Sequence, residues 1–202
     1  MKQWIIGLTG PTGAGKSIVG GVFAQNGCAV IDTDRVARQV TQEDPGCLAA
    51  LQAAFGADLV QNGVLNRQEL ARRAFSAPGG GQKLNSITHP RILARANAEI
   101  AACFAQGYDL AVLDAPLLFE SGADQTCNRV VAVVAPAELR IARIMARDHI
   151  TRQAAQLRLS AQQRDAFYTG RADYVLTNDG APADLEDQAA KVLASIRREM
   201  EK

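Results

Sequence analysis

The sequence carries no excess of charge of either sign. Its 202 residues include 22 Lys+Arg and 21 Asp+Glu, which gives a formal net charge of +1. Nucleic-acid-binding proteins usually show a clear basic excess, so this balance argues against nucleic acid as a partner. It does not exclude a phosphate-bearing small ligand, because one positive pocket can exist within a balanced chain.

The sequence is also poor in metal-binding side chains and has no long apolar run. Two histidines and four widely spaced cysteines without a CxxC pair make a zinc site unexpected. No apolar run approaches the ~20 residues that span a membrane, and the N-terminal run is too short for a signal peptide. We therefore expect a soluble, cytoplasmic protein with no membrane partner.

What the sequence does contain is an alternation of short apolar runs and longer helical patterns. Apolar residues make up 48% of the chain and charged residues 21%, as in ordinary globular proteins, which excludes wholesale disorder. The short runs are continuously apolar, which is typical of a parallel sheet covered by helices on both faces. The predicted strands cover residues 4–8, 29–31, 110–113, 130–134 and 174–176.

Two longer segments lie outside this predicted sheet. The first has no strand signal and is predicted to be a helical insertion, interrupted by Pro-Gly-Gly-Gly at 78–81, with His89-Pro90 beginning a further helix. Its helical patterns cover 48–55, 68–75 and 92–104. The second is rich in arginine and is predicted to be helical from 137 to about 164.

We interpret the chain as a single α/β domain. A last helix is predicted over 184–200. The predicted parts are a core of residues 1–34, 109–136 and 172–202, a helical insertion at about 35–108, and an arginine-rich lid at about 137–171.

The strongest local signal is a string that fits G-x-x-x-x-G-K-[ST]. Its glycines let successive backbone N–H groups curl around phosphate oxygens, and the following helix adds its positive dipole end. The lysine can reach the β- and γ-phosphates and the serine hydroxyl can ligate Mg²⁺. The residues of this predicted nucleotide site are Gly10, Pro11, Thr12, Gly13, Ala14, Gly15, Lys16 and Ser17.

The phosphate-binding loop (P-loop) occurs in several classes of protein, and the rest of the chain indicates which class is present here. A switch GTPase needs Asn-Lys-x-Asp, and the nearest string, Thr-Asn-Asp-Gly at 177–180, lacks the lysine. A helical insertion after the second strand and an arginine-rich segment after the fourth are typical of nucleoside and metabolite kinases. In that group one segment binds the acceptor and the other closes over ATP.

Further strings resemble the dephospho-CoA kinase family over nearly the whole chain. Beside the P-loop they are Val-Ile-Asp-Thr-Asp at 30–34, Leu-Asn-Ser-Ile-Thr-His-Pro at 84–90 and Pro-Leu-Leu-Phe-Glu at 116–120. The match continues in the same order with Arg143, Arg147, Ser-Ala-Gln at 160–162, Ala-Asp-Tyr at 172–174 and Asn-Asp-Gly at 178–180. The resemblance implies a P-loop kinase fold and transfer of the γ-phosphoryl of MgATP to the ribose 3′-hydroxyl of dephospho-CoA.

Three aspartates follow predicted strands. The resemblance implies that Asp34 is the general base toward the acceptor hydroxyl and that Asp32 lies near the metal. Asp34 or Asp32 can instead cap the helix that starts at Arg35. Asp114 ends the third strand, where an acid can order a magnesium-bound water or cap a turn, so Ser17, Asp32 and Asp114 are the candidate metal residues.

Arginines on one helix face form a candidate phosphate-binding stripe. Arg140, Arg143 and Arg147 recur at i, i+3 and i+7, which also suits a solvated helix face. The resemblance implies a transition-state or lid role for Arg143 and nucleotide binding for Arg147, while Arg140 stands where the family more often has Gln. It also places Asn178 in the adenine-side loop, although a plain turn fits the same residues.

Candidate acceptor-binding residues lie in the insertion. His89, Arg91 and Arg95 can donate hydrogen bonds to the diphosphate of dephospho-CoA, although His89-Pro90 also fits a purely structural helix start. Arg67 follows Asn66, where the family more often has Asp, and Asn66 is explained more simply as a helix cap. Tyr168 stands where the family tends to have a basic residue.

The predicted activity is therefore that of a dephospho-CoA kinase that uses Mg²⁺ with ATP. The residues do not determine the oligomeric state, and a monomer is favoured. Two alternatives remain open from the residues: another small-metabolite or nucleoside P-loop kinase, and a non-catalytic nucleotide sensor. The presence of Asp34, Lys16 and several placed arginines argues against the sensor.

The general-base assignment gives the first testable prediction. A base contributes ~10²- to 10⁴-fold to such a reaction, so Asp34→Asn is expected to lower kcat by that order. ATP binding is expected to persist, because the carboxylate is assigned to the acceptor hydroxyl. Steady-state kinetics and ATP titration measure the two quantities, and near-wild-type turnover would remove the assignment.

Overall fold

A computed structural model of the chain describes residues 2–61 and 63–202. Within these residues the strands are β1 (Trp4–Thr9), β2 (Ala29–Asp32), β3 (Val60–Gln61), β4 (Val64–Leu65), β5 (Leu110–Asp114), β6 (Arg129–Val134) and β7 (Tyr174–Thr177). The helices are α1 (Lys16–Gln25), α2 (Thr33–Glu43), α3 (Pro45–Phe55), α4 (Arg67–Ser76), α5 (Gly80–Ala105), α6 (Ala137–Asp148), α7 (Arg152–Ser160), α8 (Asp165–Thr169) and α9 (Pro182–Met200).

The predicted parallel five-stranded sheet is confirmed. Its strand order is β2-β5-β1-β6-β7, so β1 lies in the centre with β5 on one side and β6 on the other. The register pairs Leu8 with Asp114 across β1 and β5, and Val134 with Thr177 across β6 and β7. Because the strands are parallel, the segments that follow β1, β5, β6 and β7 all leave from the same edge of the sheet.

The core explains why α1 starts where it does. Ile6 and Leu8 are two residues apart in β1, so they lie on the same face of the strand. Both are fully buried, as are Val19 and Phe23 of α1. The same cluster takes in the apolar stripe of α9, including Leu193 and Ile196. Burial of these apolar residues fixes α1 against the sheet. The first residue of α1, Lys16, directly follows the glycine-rich loop.

The chain divides into two compact units. The first contains the chain up to Ile31 together with Ala102–Lys202, and the second contains Asp32–Ala101. Predicted helices of the second unit are confirmed as α3 and α4, whose N-caps are Asp44 and Asn66. The sequence predicts no strands in this unit, and that prediction is wrong, because β3 and β4 form a short antiparallel pair.

The predicted helix start at His89-Pro90 is wrong. Helix α5 runs without interruption from Gly80 to Ala105 and contains Pro90 in its interior. A proline costs an intrahelical hydrogen bond, so local propensity favours a boundary there. The continuous helix buries Thr88, Ala96 and Ile100 on both sides of Pro90, and this burial outweighs the local preference.

The helical structure predicted from 137 to about 164 is confirmed over most of this segment, which forms two helices, α6 and α7. His149 takes a left-handed conformation with φ 52° and ends α6. The Thr151 hydroxyl then accepts a hydrogen bond from the Ala154 N–H at 3.3 Å and starts α7. The break lets Ile141 and Ile144 of α6 pack against Ala155 of α7 in a small apolar cluster.

The four cysteines are free thiols in the fold. Cys28 and Cys47 are buried, whereas Cys103 and Cys127 are half-buried. Burial raises the pKa of Cys28 to about 11 and that of Cys127 to about 12, so both thiols stay protonated at neutral pH. Over the described residues, no helix combines the length and apolar character that a membrane crossing needs.

Candidate active site

The glycine-rich loop lies between the end of β1 and the start of α1. Ala14 is fully buried within the core, which anchors the middle of the loop to the sheet. Within the loop, the Ala14 N–H donates to the Pro11 carbonyl at 3.2 Å and closes a tight turn. The string predicted as a phosphate-binding loop is therefore placed at the N-terminus of a helix, as that function requires.

Lys16 and Asp114 form an ion pair beside the loop. The register that pairs Leu8 with Asp114 brings the end of β5 next to the segment that leaves β1, where Lys16 begins α1. Their side chains are only 19% and 14% exposed. The structure thus brings together the predicted phosphate-binding lysine and the predicted acid of the third core strand.

The carbonyl groups of the loop are held by side chains from outside it. The Thr12 carbonyl accepts from Arg140 Nε at 2.9 Å, the Gly13 carbonyl from Arg143 Nη1 at 3.3 Å, and the Ala14 carbonyl from Asn178 Nδ2 at 2.8 Å. In a planar trans peptide the N–H points opposite to the C=O. Holding these carbonyls therefore directs the next N–H groups, those of Gly13 and Gly15, away from the three side chains.

Asn178 is the residue that connects the loop to β7. It is only 3% exposed, and its own N–H donates to the Val134 carbonyl at 2.8 Å. Its Oδ1 accepts from Arg143 Nη2 at 3.0 Å. Gly15 has φ +103°, and a Cβ there would overlap the Asn178 amide nitrogen, so the loop needs glycine at this position.

The predicted arginine stripe divides into two parts. Arg140 and Arg143 contact the loop, and burial lowers the pKa of Arg140 while its partner Asp165, at 3.1 Å, opposes this effect. Arg147 is exposed and instead contacts Asp148 at 2.7 and 2.9 Å, which raises its pKa. Seven residues of α-helix span ~10.5 Å, so one end of the stripe lies well beyond the loop.

Gln162 was not among the predicted site residues, yet it contacts the loop. Its Oε1 accepts from the Thr12 N–H at 3.0 Å and from Arg140 Nη2 at 3.2 Å. It lies between α7 and α8, where no helical or strand period relates it to the loop. Only its place in the Ser-Ala-Gln string pointed to it in the sequence.

In the second unit, Asp32 caps α2. Its Oδ1 accepts from the Asp34 N–H at 2.8 Å and from the Arg35 N–H at 3.3 Å. The alternative interpretation of Asp34 as the cap is therefore wrong, because the preceding aspartate has that role. Asp34 lies in the first helical turn with an exposed side chain.

A cavity of about 350 Å³ opens in this unit beside Asp34. Arg67 lines it, and its Nη2 donates to the Arg38 carbonyl at 2.8 Å and to the Thr41 hydroxyl at 2.7 Å. These bonds fix the guanidinium at the cavity wall. The wall is completed by Ala37, Leu65, Leu70, Leu84, Asn85, Thr88 and Ile92.

The other predicted acceptor residues do not join this cavity. Arg91 and Arg95 line a second cavity of about 210 Å³, where Arg91 Nε lies 3.6 Å from Asp44. Burial lowers the pKa of half-buried His89, so its imidazole is neutral at pH 7. The structure therefore places Arg67 in one cavity and Arg91 with Arg95 in another.

The residues around the loop suit a magnesium ion that arrives with a nucleotide. Among residues 2–61 and 63–202, no three His, Cys, Asp or Glu side chains are grouped to hold a metal by themselves. Mg²⁺ bound with nucleotides takes most of its ligands from phosphates and water and needs only one or two protein oxygens. The Ser17 hydroxyl and the Asp114 carboxylate are oxygen donors at the loop and fit this requirement.

Comparison with known proteins adds three findings. The family model for dephospho-CoA kinase matches residues 4–184. A dephospho-CoA kinase from Syntrophotalea carbinolica is 39% identical over 95% of this chain and 92% of its own length. A dephospho-CoA kinase from Campylobacter jejuni is 26% identical with a TM-score of 0.71, and TT1252 from Thermus thermophilus is 33% identical with a TM-score of 0.81; both structures cover 96% of this chain and 98% of their own.

The role of Asn178 gives a testable prediction. In Asn178→Ala the Ala14 carbonyl and Arg143 both lose a buried partner, and such losses cost about 1–3 kcal/mol each. We expect ADP affinity, measured by calorimetric titration, to fall about tenfold or more. The exposed neighbour provides the control Asp179→Ala, which is expected to bind ADP as the wild type does. Equal affinity in the two variants would contradict the role.

Proposed function

The chain belongs to the dephospho-CoA kinase family, and we propose that it binds MgATP at the loop of residues 10–17 and phosphorylates the ribose 3′-hydroxyl of dephospho-CoA. The protein is an ATP-dependent phosphotransferase of coenzyme A biosynthesis, and its products are CoA and ADP. The observation that carries the donor assignment is the loop itself, whose carbonyls are held so that its N–H groups are available to phosphate.

On the donor side, the loop and Lys16 bind the phosphates. The N–H groups of Gly13 and Gly15 are directed away from the side chains that hold the loop, and Lys16 adds a positive charge beside them. Catalysis of phosphoryl transfer consists mainly of positioning and charge stabilisation, so preorganised donors of this kind are what the reaction needs.

Mg²⁺ accompanies ATP in this proposal. Ser17 and Asp114 would hold it, Ser17 through its hydroxyl and Asp114 through its carboxylate or an intervening water. When bound, the ion would neutralise charge on the phosphates. We keep Asp32 as a weaker metal candidate, because its carboxylate already caps α2.

Arg143 is the proposed transition-state arginine. Its guanidinium lies at the loop, where it donates to the Gly13 and Asn178 carbonyls at 3.3–3.4 Å and to Asn178 Oδ1 at 3.0 Å. To reach a phosphoryl group it would have to leave these acceptors. Hydrogen bonds to charged phosphoryl oxygens are about twice as strong as those to neutral acceptors, so this group can turn toward the phosphoryl group. Arg147 remains a predicted nucleotide residue that would first have to leave Asp148.

On the acceptor side, we assign Asp34 as the general base and the 350 Å³ cavity as the place where the acceptor binds. What supports this is the combination of an exposed carboxylate, a guanidinium fixed by two hydrogen bonds, and an apolar wall in one cavity. Arg67 provides the positive charge. His89, Arg91 and Arg95 are proposed to contact more distant parts of dephospho-CoA.

The remaining features of the proposal come from the sequence. The division into a core, an acceptor-binding insertion at about 35–108 and a lid at about 137–171 is retained. The enzyme is proposed to be a cytoplasmic monomer that binds neither nucleic acid nor membranes. The net charge of +1 supports the exclusion of nucleic acid.

An acceptor panel tests the activity. ADP release from MgATP is followed in a coupled assay with dephospho-CoA, adenosine, AMP, shikimate and gluconate. Dephospho-CoA is expected to stimulate release well above the rate without acceptor. Stimulation by one of the other acceptors alone would indicate a sister kinase, and no stimulation by any of them would indicate a nucleotide sensor.

The two cavities of the second unit give a prediction about the acceptor site. Arg67→Ala removes the fixed guanidinium beside Asp34 and is expected to raise KM for dephospho-CoA about tenfold, with a smaller change in kcat. Arg95→Ala, in the second cavity, is expected to raise KM less. Steady-state kinetics with varied dephospho-CoA decide the point, and the reverse order of effects would move the acceptor to the second cavity.

A further inference from the structure

Thr12 of the phosphate loop is held from both sides by two side chains of the α6–α8 segment. Its N–H donates to Gln162 Oε1 at 3.0 Å, and its carbonyl accepts from Arg140 Nε at 2.9 Å. Arg140 Nη2 also donates to Gln162 Oε1 at 3.2 Å, which closes a ring of three hydrogen bonds. We call this ring the Thr12 clasp.

The central group of the clasp is buried, and each of its three nitrogens makes a hydrogen bond. The Arg140 side chain is 6% exposed, and its remaining terminal nitrogen contacts Asp165 at 3.1 Å. A guanidinium is planar, so acceptors on both Nη atoms fix the direction of Nε as well. Gly13 also approaches α6 closely, since a Cβ there would lie 3.0 Å from the Arg140 carbonyl oxygen.

The clasp sets the orientation of two consecutive peptide planes. Fixing the Thr12 carbonyl toward Arg140 turns the Gly13 N–H in the opposite direction. Fixing the Thr12 N–H toward Gln162 turns the Pro11 carbonyl in the opposite direction, where it accepts the Ala14 N–H at 3.2 Å. Gln162 thus acts on the loop both directly and through Arg140.

We propose that Gln162 is a positioning residue for phosphoryl transfer, because it couples the orientation of the Thr12–Gly13 end of the phosphate loop to the fold of α6–α8. The inference rests on the proposed use of this loop as the donor site. Gln162 acts through Thr12 and Arg140.

The expected consequence of losing Gln162 is a catalytic defect larger than the binding defect. Donors that are misplaced by a fraction of an ångström still attract phosphate, but they stabilise the transition state less well. In Gln162→Ala we expect kcat to fall about tenfold. The ADP dissociation constant is expected to stay within about threefold of the wild-type value, since Lys16 and the Gly15 end of the loop are unchanged.

Four variants of the full chain separate positioning from simple loss of structure. Gln162→Ala removes the acceptor, Gln162→Met keeps most of the length without a strong acceptor, and Gln162→Glu restores an oxygen that can accept both hydrogen bonds. Gln163→Ala, at an exposed neighbouring amide, is the matched control. The measurements are kcat at saturating MgATP and dephospho-CoA, ADP affinity, thermal midpoint, and hydrogen exchange of the Thr12 amide by NMR without ligand.

The expected pattern is faster exchange at Thr12 and a lower kcat in the Ala and Met variants, with both properties recovered at least in part by Glu and unchanged in Gln163→Ala. A kcat within twofold of wild type in Gln162→Ala, or failure of Glu to restore Thr12 protection, would overturn the proposal. If the Ala variant unfolds below the assay temperature, the Met variant decides. Exchange and ADP binding use no acceptor, so they test the clasp even if the acceptor is not dephospho-CoA.

Discussion

The planarity of the peptide bond is the constraint on which the site depends. A loop cannot direct its N–H groups toward an anion unless the opposing carbonyls are accommodated on the other side. Here three carbonyls in succession are held by Arg140, Arg143 and Asn178, none of which belongs to the loop. The anion-binding side of the loop is therefore determined by residues behind it, and glycine is needed where those residues approach most closely.

The strand order of the sheet brings residues that are distant in the sequence to the loop. With β1 between β5 and β6, the segments after its two neighbours flank the loop. Asp114 reaches Lys16 from the end of β5, while the N–H of Asn178 after β7 bonds the carbonyl of Val134 at the end of β6. These residues are far apart in the sequence and meet only because parallel strands end at one edge.

The strands, the loop and the last helix could be predicted because their signals are local and continuous. The continuity of α5 through Pro90 and the end of α6 at His149 could not, since burial of apolar faces determined both and local propensity did not. The period of α6 placed Arg140, Arg143 and Arg147 on one face, but the distance along the helix determines which of them reaches the loop. Gln162 follows no period at all, so its contact with Thr12 needed the tertiary fold.

The pair between Lys16 and Asp114 balances the charge of Lys16 before any ligand arrives. An anion that arrives without a metal ion and attracts Lys16 weakens the Lys16–Asp114 ion pair. The lost attraction reduces the free energy gained on binding. An anion that arrives with its own divalent cation can return a positive charge to Asp114 at the same time. Binding would then be an exchange of ion partners, which by charge balance favours an anion with a divalent cation over sulfate, inorganic phosphate or metal-free nucleotide.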